Sequence, residues 1–255
     1  MNSPMPPEPL RKRLPRWKKT NEVKNLHFIL NQEKKPIRLE TTGRTGQHFL
    51  ARLRFTDGTI HHVIVKRYPR IDAVTSESFR RTYERGIMKL RKAGVRIPKM
   101  GLIKIPTPEN PKGEYVLVTP FFGSQKSGSK ITHDLDRKKE WPYETRRDAI
   151  EQLSRIANAG FRPSVDAIER FKNGNQVIVL DVDFIMNNVV FENERKPDRV
   201  DLNDSILNLH DIIEEFSKKN DRVYQSFFDV AMATLTGPQR KKMATYNRRY
   251  RYRKD

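Results

Sequence analysis

The chain has 255 residues, a hydrophobic content of 36% and a net charge of +20, so it can bury a core beneath a strongly basic surface. It has no cysteine, which excludes disulfide bonds, thiolate catalysis and cysteine-ligated zinc. No apolar run approaches a membrane span, and the first residues lack the apolar core of a signal peptide. We therefore expect a cytoplasmic protein.

Much of the positive charge is concentrated at the two ends of the sequence. Residues 1–19 carry six basic residues and one acidic residue (+5), and residues 238–255 carry eight and one (+7). Near the end, Tyr246, Tyr250 and Tyr252 alternate with arginines, which bind phosphates while tyrosines stack on unpaired bases. These ends predict contact with RNA or the ribosome. The alternative is that they only keep the chain in solution.

The first half of the chain predicts a flexible arm followed by an antiparallel sheet. Residues 1–20 are basic, proline-rich and without period, which is typical of a flexible arm. Strand-like runs then follow at 26–30, 37–42, 47–55 and 59–68. The pair Asp57-Gly58 predicts a hairpin between the last two runs.

A helix and two more strands are predicted next. Apolar residues recur at helical spacing in 76–93, and Gly94 is a plausible cap at the end of this helix. Residues 97–105 and 114–121 resemble a second pair of strands. The run 122–130, rich in Gly, Ser and Lys, predicts a linker between two lobes.

The second half is predicted to be mainly helical. Helices are expected at 143–159, 202–218 and 222–235. Between the first two, residues 167–171 and 177–181 flank the turn pair Asn173-Gly174, which predicts a β-hairpin. For the basic end after Pro238, both a frayed helix and a disordered segment remain open.

Two acidic residues follow the last strand of this hairpin. The stretch 177–184 reads VIVLDVDF, and its apolar run predicts a buried strand. Residues two apart on a strand share a face, so Asp181 and Asp183 project together from its end. Close carboxylates repel each other, and a hard divalent cation is their natural partner. The alternative is a strand end where one Asp caps the next turn.

This order of elements resembles the protein-kinase-like fold, in the compact form of aminoglycoside phosphotransferases, lipopolysaccharide kinases and RIO-type kinases. The resemblance covers about residues 24–236. It implies an α+β, two-lobed fold: an N-lobe with a small antiparallel sheet and one helix (21–122), and a mainly helical C-lobe with a β-hairpin (123–237). An arm (1–20) and a basic Arg/Tyr tail (238–255) flank the lobes.

The resemblance implies an ATP site. Gly43 and Gly46 stand where kinases carry a glycine-rich turn over the ATP phosphates, and Lys66 resembles the phosphate-binding lysine at the end of the third strand. A helix glutamate steadies that lysine in kinases; Glu84 is the first choice here and Glu77 the second. A lysine lying along the protein surface is the alternative for Lys66.

The resemblance also implies a divalent metal, Mg²⁺ or Mn²⁺, held by Asp181 and by Asp183 as the second acid. The usual loop with a catalytic Asp and, five residues later, a metal-binding Asn is missing. Counting back from the hairpin, Asp166 takes the Asn position and Phe161 the base position. Counting forward from the helix, the base falls near Ser164 and Glu169 takes the Asn position. Asp166 is therefore a candidate for either role, and catalysis is expected to be impaired or lost.

Three functions follow from these patterns. The first is a kinase-like nucleotide-binding protein, either a pseudokinase or a weak atypical phosphotransferase that uses ATP and a divalent metal. The second is a basic RNA- or ribosome-associated protein that uses the same fold as a non-catalytic scaffold. The third takes Asp181 and Asp183 as the metal pair of a glycosyl- or nucleotidyltransferase. Nucleotidyltransferases need a Gly-Gly or Gly-Ser turn and a helix well before the pair, whereas the turn pair Asn173-Gly174 stands immediately before it here.

Overall fold

The computed structural model describes residues 23–28, 38–39, 47–55, 58–67, 77–105, 111–121, 123–124, 128–129, 131–132, 135–171, 174–182, 202–218 and 220–251. These residues form an α+β structure with a small antiparallel sheet and several helices, as the sequence predicts. The predicted arm, residues 1–20, lies outside this described part. Among the described helices, none is both long and apolar enough to cross a membrane.

The chain divides into two compact units. The first comprises residues 1–80 and 98–124, and the second comprises residues 81–97 and 125–255. Each unit has its own sheet and its own buried core.

The first unit is organised by an antiparallel sheet. Its strands are β1 (Val23–Phe28), β2 (Arg38–Leu39), β3 (Gln47–Phe55), β4 (Ile60–Arg67), β5 (Gly101–Ile105) and β6 (Glu114–Pro120). The strand order is β1-β3-β4-β6-β5, with β2 paired to β3. The predicted hairpin between β3 and β4 is confirmed by their antiparallel pairing, and Gly58 has the positive φ of 84° that such a turn favours.

Alternation along the strands builds the core of this sheet. In β3, Ala51 and Leu53 are fully buried while Arg52 and Arg54 are exposed, because successive side chains point to opposite faces. The residues that share this buried cluster are Ala51, Leu53, Val63, Val65, Val116 and Val118. Since β6 lies between β4 and β5, its run of apolar side chains is buried almost throughout.

The predicted helix after β4 is confirmed as α1 (Glu77–Lys92). The residues that recur at helical spacing are buried: Phe79, Tyr83, Ile87 and Leu90. Gly94 ends the helix with φ of 75°; its N–H donates to the carbonyl of Arg91, and the next N–H donates to Leu90. A side chain at Gly94 would also meet the guanidinium of Arg155.

The second unit contains the helices and the predicted β-hairpin. The short strand β7 (Gly123–Ser124) ends the first unit, and the short strands β8 (Gly128–Ser129) and β9 (Ile131–Thr132) belong to the second. The helices are α2 (Tyr143–Asn158), α3 (Leu202–Ser217), α4 (Asp221–Thr234) and α5 (Gly237–Arg251). The hairpin consists of β10 (Ile168–Phe171) and β11 (Val177–Val179), and β9 pairs with the other edge of β10. Helix α2 packs against α3, α4 and β11.

The basic end of the chain forms a packed helix through Arg251. Helix α5 lies against α3: Met243 is fully buried, and the ring of Tyr246 lies 6.1 Å from that of His210. The hydroxyl of Tyr224 on α4 donates a hydrogen bond to Asn247. Of the two alternatives for this segment, the structure therefore has a helix, and its inner face belongs to the core.

A network around Asp148 fixes the position of β11. The Asp148 carboxylate on α2 accepts hydrogen bonds from both terminal nitrogens of Arg96, at 2.7 and 3.2 Å, and from the N–H of Val177, at 2.6 Å. Arg96 also donates to the carbonyl of Val177, and its own carbonyl accepts from Val179. One carboxylate thus joins the segment after α1, helix α2 and strand β11.

We expect Asp148→Ala to destabilise the protein by about 2–3 kcal/mol, because it leaves the Arg96 guanidinium and the Val177 N–H without their acceptor. Urea unfolding measures the change. The matched control is Glu144→Ala on the same helix, which removes an exposed pair with Arg147 and should cost at most about 1 kcal/mol. Equal losses for the two variants would show that the Asp148 network does not stabilise β11.

Candidate functional site

The candidate site lies at the carboxyl end of β11, next to a short turn. Ser164 begins a 3-10 turn, Val165–Ala167, by accepting a hydrogen bond from the N–H of Asp166 at 3.3 Å. The carbonyl of Ala167 then accepts hydrogen bonds from two residues after β11, Leu180 at 2.9 Å and Asp181 at 3.3 Å. The backbone of Asp181 is therefore bound to the turn that carries Asp166.

This pairing brings two predicted site residues to neighbouring segments. Asp166 is exposed, Asp181 is half-buried, and Val182 after it is fully buried. Asp183, the second predicted metal ligand, lies outside the described residues. Asp166 and Asp181 offer carboxylate oxygens, which are the donors that Mg²⁺ and Mn²⁺ prefer, so the donor set fits a hard divalent cation.

A buried lysine that the sequence analysis did not select holds the same turn from inside. Lys138 is only 1% exposed, and its ammonium group donates to the carbonyls of Val165 (2.9 Å) and Ile168 (2.6 Å). It also lies 3.4 Å from the carboxylate of Glu169. Burial lowers the pKa of Lys138, and the negative charge of Glu169, with a smaller effect of Asp166, opposes that shift.

Lys138 gave no signal in the sequence. It stands in the middle of three consecutive basic residues, Arg137 to Lys139, which is the usual composition of a solvated segment. Only the carbonyls that converge on it distinguish it from Lys139, which is exposed and pairs with Glu215. The nearby run His133 to Asp136 looks superficially like a catalytic loop but precedes α2 in the sequence.

The other predicted site residues belong to β4 and α1. Lys66 is 6% exposed and stands opposite His48 on β3 and Leu117 on β6, which argues against a lysine lying along the surface. Glu84 is exposed on α1, beside the buried Tyr83. Its role as the partner of Lys66 remains a prediction. Gly43 and Gly46 lie outside the described residues.

Glu77, the second choice for the helix glutamate, contacts the sheet of its own unit. The hydroxyl of Tyr115 on β6 donates a hydrogen bond to the Glu77 carboxylate, which also forms an ion pair with Arg80 at 2.8 Å. Glu77 therefore anchors the first turn of α1 to β6. This contact gives Glu77 a structural role within the first unit.

No protein-family model matches the chain, and no curated protein matches its sequence. Its function must therefore be argued from the geometry of the described residues.

Replacing the buried lysine tests how strongly it supports the turn. We expect Lys138→Met to destabilise the protein by about 3–5 kcal/mol, because the carbonyls of Val165 and Ile168 would lose their buried donor and the Glu169 carboxylate would lose the charge of Lys138. The double variant Lys138→Met with Glu169→Leu should recover part of this loss, since it removes both charges. Urea unfolding measures both changes.

The control for this prediction is Lys139→Met, which removes the neighbouring exposed lysine and its ion pair with Glu215. It should change the free energy of unfolding by less than about 1 kcal/mol. If Lys138→Met were no more destabilising than Lys139→Met, the turn would not depend on the buried ammonium group.

Proposed function

We propose that this protein binds ATP together with Mg²⁺ or Mn²⁺ in the manner of the kinase-like fold, and that its catalytic turnover is weak or absent. The observation that carries the proposal is the backbone contact of Asp181 with the turn of Asp166. It binds the backbone of Asp181, just after a buried strand, to the turn that carries a second acidic residue, Asp166. In the kinase-like fold, an Asp after the corresponding strand and an Asn on the preceding loop hold the metal ions against the nucleotide phosphates.

The order of elements supports the same proposal in each unit separately. In the first unit, β4 ends with a buried lysine, Lys66, and the strands after α1 join the same sheet, with β6 beside β4. In the second unit, a helix precedes the hairpin, and an acidic residue follows its last strand. Lys66 would contribute the positive charge that contacts the phosphates.

The surroundings of the loop after α2 favour binding over catalysis. Phe161, at one of the two possible base positions, is 3% exposed and contributes to the core. Glu169, which takes the metal-binding position in the other register, is buried beside Lys138. This leaves Asp166, which is exposed two residues before β10, as the candidate second metal ligand. No side chain of the described loop then fills the role of the base.

When bound, a divalent ion would neutralise negative charge on the nucleotide phosphates. Asp166 and Asp181 would hold this ion. Any phosphotransfer should therefore be slow, and Asp166→Ala should abolish it. Activity that survives Asp166→Ala would remove Asp166 from the mechanism.

A thermal-shift titration tests the binding proposal. ATP with Mg²⁺ or Mn²⁺ at about 100 times the dissociation constant should raise the melting temperature by about 5 °C or more, because the ligand binds only the native state. Asp181→Asn and Lys66→Met should each reduce this shift. The matched control is Asp229→Asn, at an exposed residue of α4, which should leave it unchanged.

Two results would contradict the proposal. If ATP and the metal together produced no shift, the fold would serve as a scaffold only. If the shift persisted in both Asp181→Asn and Lys66→Met, ATP would bind elsewhere on the chain.

A second candidate function, RNA binding, is supported by the composition of α5. The helix contains six basic residues and no acidic residue. Its inner side is packed through Met243, whereas Lys241 and Arg248 are exposed. An exposed basic helix face attracts the phosphate backbone of a nucleic acid. Tyr246 contacts His210, so it contributes to the packing of α5.

The salt dependence of RNA binding tests this candidate. Lys241→Ala with Arg248→Ala should lower the slope of log affinity against log salt by about 1.4 for single-stranded RNA, since each lost phosphate contact contributes about 0.7. Substitution is preferable to deletion of the helix, because deletion would expose the site of the buried Met243. Fluorescence anisotropy with a labelled oligouridine at several salt concentrations measures the slope.

The control is a matched pair of exposed basic residues on α1, Arg81→Ala with Arg85→Ala. It should leave the slope nearly unchanged. Equal effects of the two pairs would show that RNA binding is not localised to α5, and a salt-independent affinity would exclude this mode of binding.

A further inference from the structure

Helix α3 carries a buried histidine beside two carboxylates. His210 is 5% exposed, and its Nδ1 atom lies 3.9 Å from a carboxylate oxygen of Glu214 and 4.0 Å from one of Asp211. The three atoms all lie within 4.8 Å of one another. Residues four apart share a helix face, which explains why Glu214 reaches the imidazole of His210.

The other side of the imidazole is held by a hydrogen-bonded chain. The Nε2 atom of His210 lies 3.0 Å from the hydroxyl of Tyr224, and this hydroxyl donates to Asn247 on α5 at 3.3 Å. The contact with Tyr224 engages Nε2, so Nδ1 is the ring nitrogen that lies nearest the two carboxylates.

Aromatic packing fixes the orientation of the same ring. The ring of Tyr224 meets that of His210 edge-on at 6.0 Å, and the ring of Tyr246 lies at 6.1 Å. Metal-binding histidines characteristically use one ring nitrogen for the ion and the other for an outer hydrogen bond that sets tautomer and orientation. The contact with Tyr224 has the form of that outer hydrogen bond.

The electrostatics of the cluster favour a cation. The carboxylates of Asp211 and Glu214 lie beside a buried imidazole, with the three ligand atoms within 4.8 Å of one another. A positive ion between them would bind the imidazole nitrogen and neutralise the carboxylates.

We propose that His210, Asp211 and Glu214 form a site for a divalent transition-metal ion of the zinc type. One imidazole nitrogen and two carboxylate oxygens suit Zn²⁺, Co²⁺ or Ni²⁺, whereas Mg²⁺ prefers oxygen ligands alone. Ligand atoms around zinc lie about 3–3.5 Å apart, so the carboxylates, whose oxygens lie within 4.8 Å of each other and of Nδ1, must turn inward to bind the ion. Asp211 and Glu214 are 62% and 38% exposed, which leaves them free to turn.

This site would connect the three C-terminal helices. Its ligands belong to α3, while the hydroxyl that orients His210 belongs to α4 and is bound in turn to Asn247 of α5. A bound ion would therefore stabilise the arrangement in which these helices pack. The proposal is independent of the nucleotide site, because none of its residues takes part there.

Titration of the full chain, free of any affinity tag, with zinc chloride in a calorimeter tests the proposal. We expect one zinc ion per chain and a rise in melting temperature. Asp211→Asn and Glu214→Gln keep the shape of their side chains but remove the charge of a ligand. Each should weaken zinc binding about tenfold or more, because losing even a residue that only hydrogen-bonds to a metal ligand weakens binding by about that much. Tyr224→Phe should also weaken binding, because the imidazole loses the hydrogen bond that orients it.

Matched controls separate this site from the other five histidines of the chain. His62→Gln and Glu140→Gln alter exposed residues outside the cluster and should leave zinc affinity unchanged. Asp181→Asn should also bind zinc normally, so failure of the nucleotide proposal would not affect this result. The proposal is overturned if the chain binds no zinc, or if Asp211→Asn and Glu214→Gln bind it as tightly as the unmodified chain.

Discussion

The position of the candidate site depends on the carboxylate of Asp148. This side chain accepts hydrogen bonds from Arg96, four residues after α1, and from the N–H of Val177, at the start of β11. Strand β11 is only three residues long, so its own ladder with β10 supplies few hydrogen bonds. The charged contacts therefore act together with the burial of all three of its side chains to hold the strand, and Asp181 follows that strand.

A second buried charge, on Lys138, holds the turn that contains Asp166. Lys138 binds the carbonyls at both ends of the segment between Val165 and Ile168, and Glu169 compensates its charge. Burying an ion pair gains little stability by itself, but removing one partner is costly. Asp148 and Lys138 thus each hold one short segment by charged contacts, Asp148 at Val177 of β11 and Lys138 at the turn from Val165 to Ile168.

Periodic patterns account for the parts of the fold that the sequence predicted well. The alternation in β3, the helical spacing in α1 and the turn pair before β11 are local features, because each follows from the geometry of one element. The same holds for Asp181, which follows an apolar strand. Lys138 could not be predicted, because its burial depends on carbonyls about 30 residues away and its neighbours in sequence are basic. Whether the basic end forms a packed helix also could not be predicted, because Met243 and Tyr246 pack against residues of other helices.

The sequence by itself determined the elements and their order: an antiparallel sheet, a helix, a β-hairpin with an acidic end and a helical C-terminal region. These elements could be predicted because apolar residues recur every second position in a strand and every three to four positions in a helix. Only the tertiary structure decided which charged residues are buried and what they hold. That information depends on contacts between residues distant in the chain, as between Asp148 and Arg96, Lys138 and Ile168, or His210 and Tyr224, and such contacts leave no periodic trace in a single sequence.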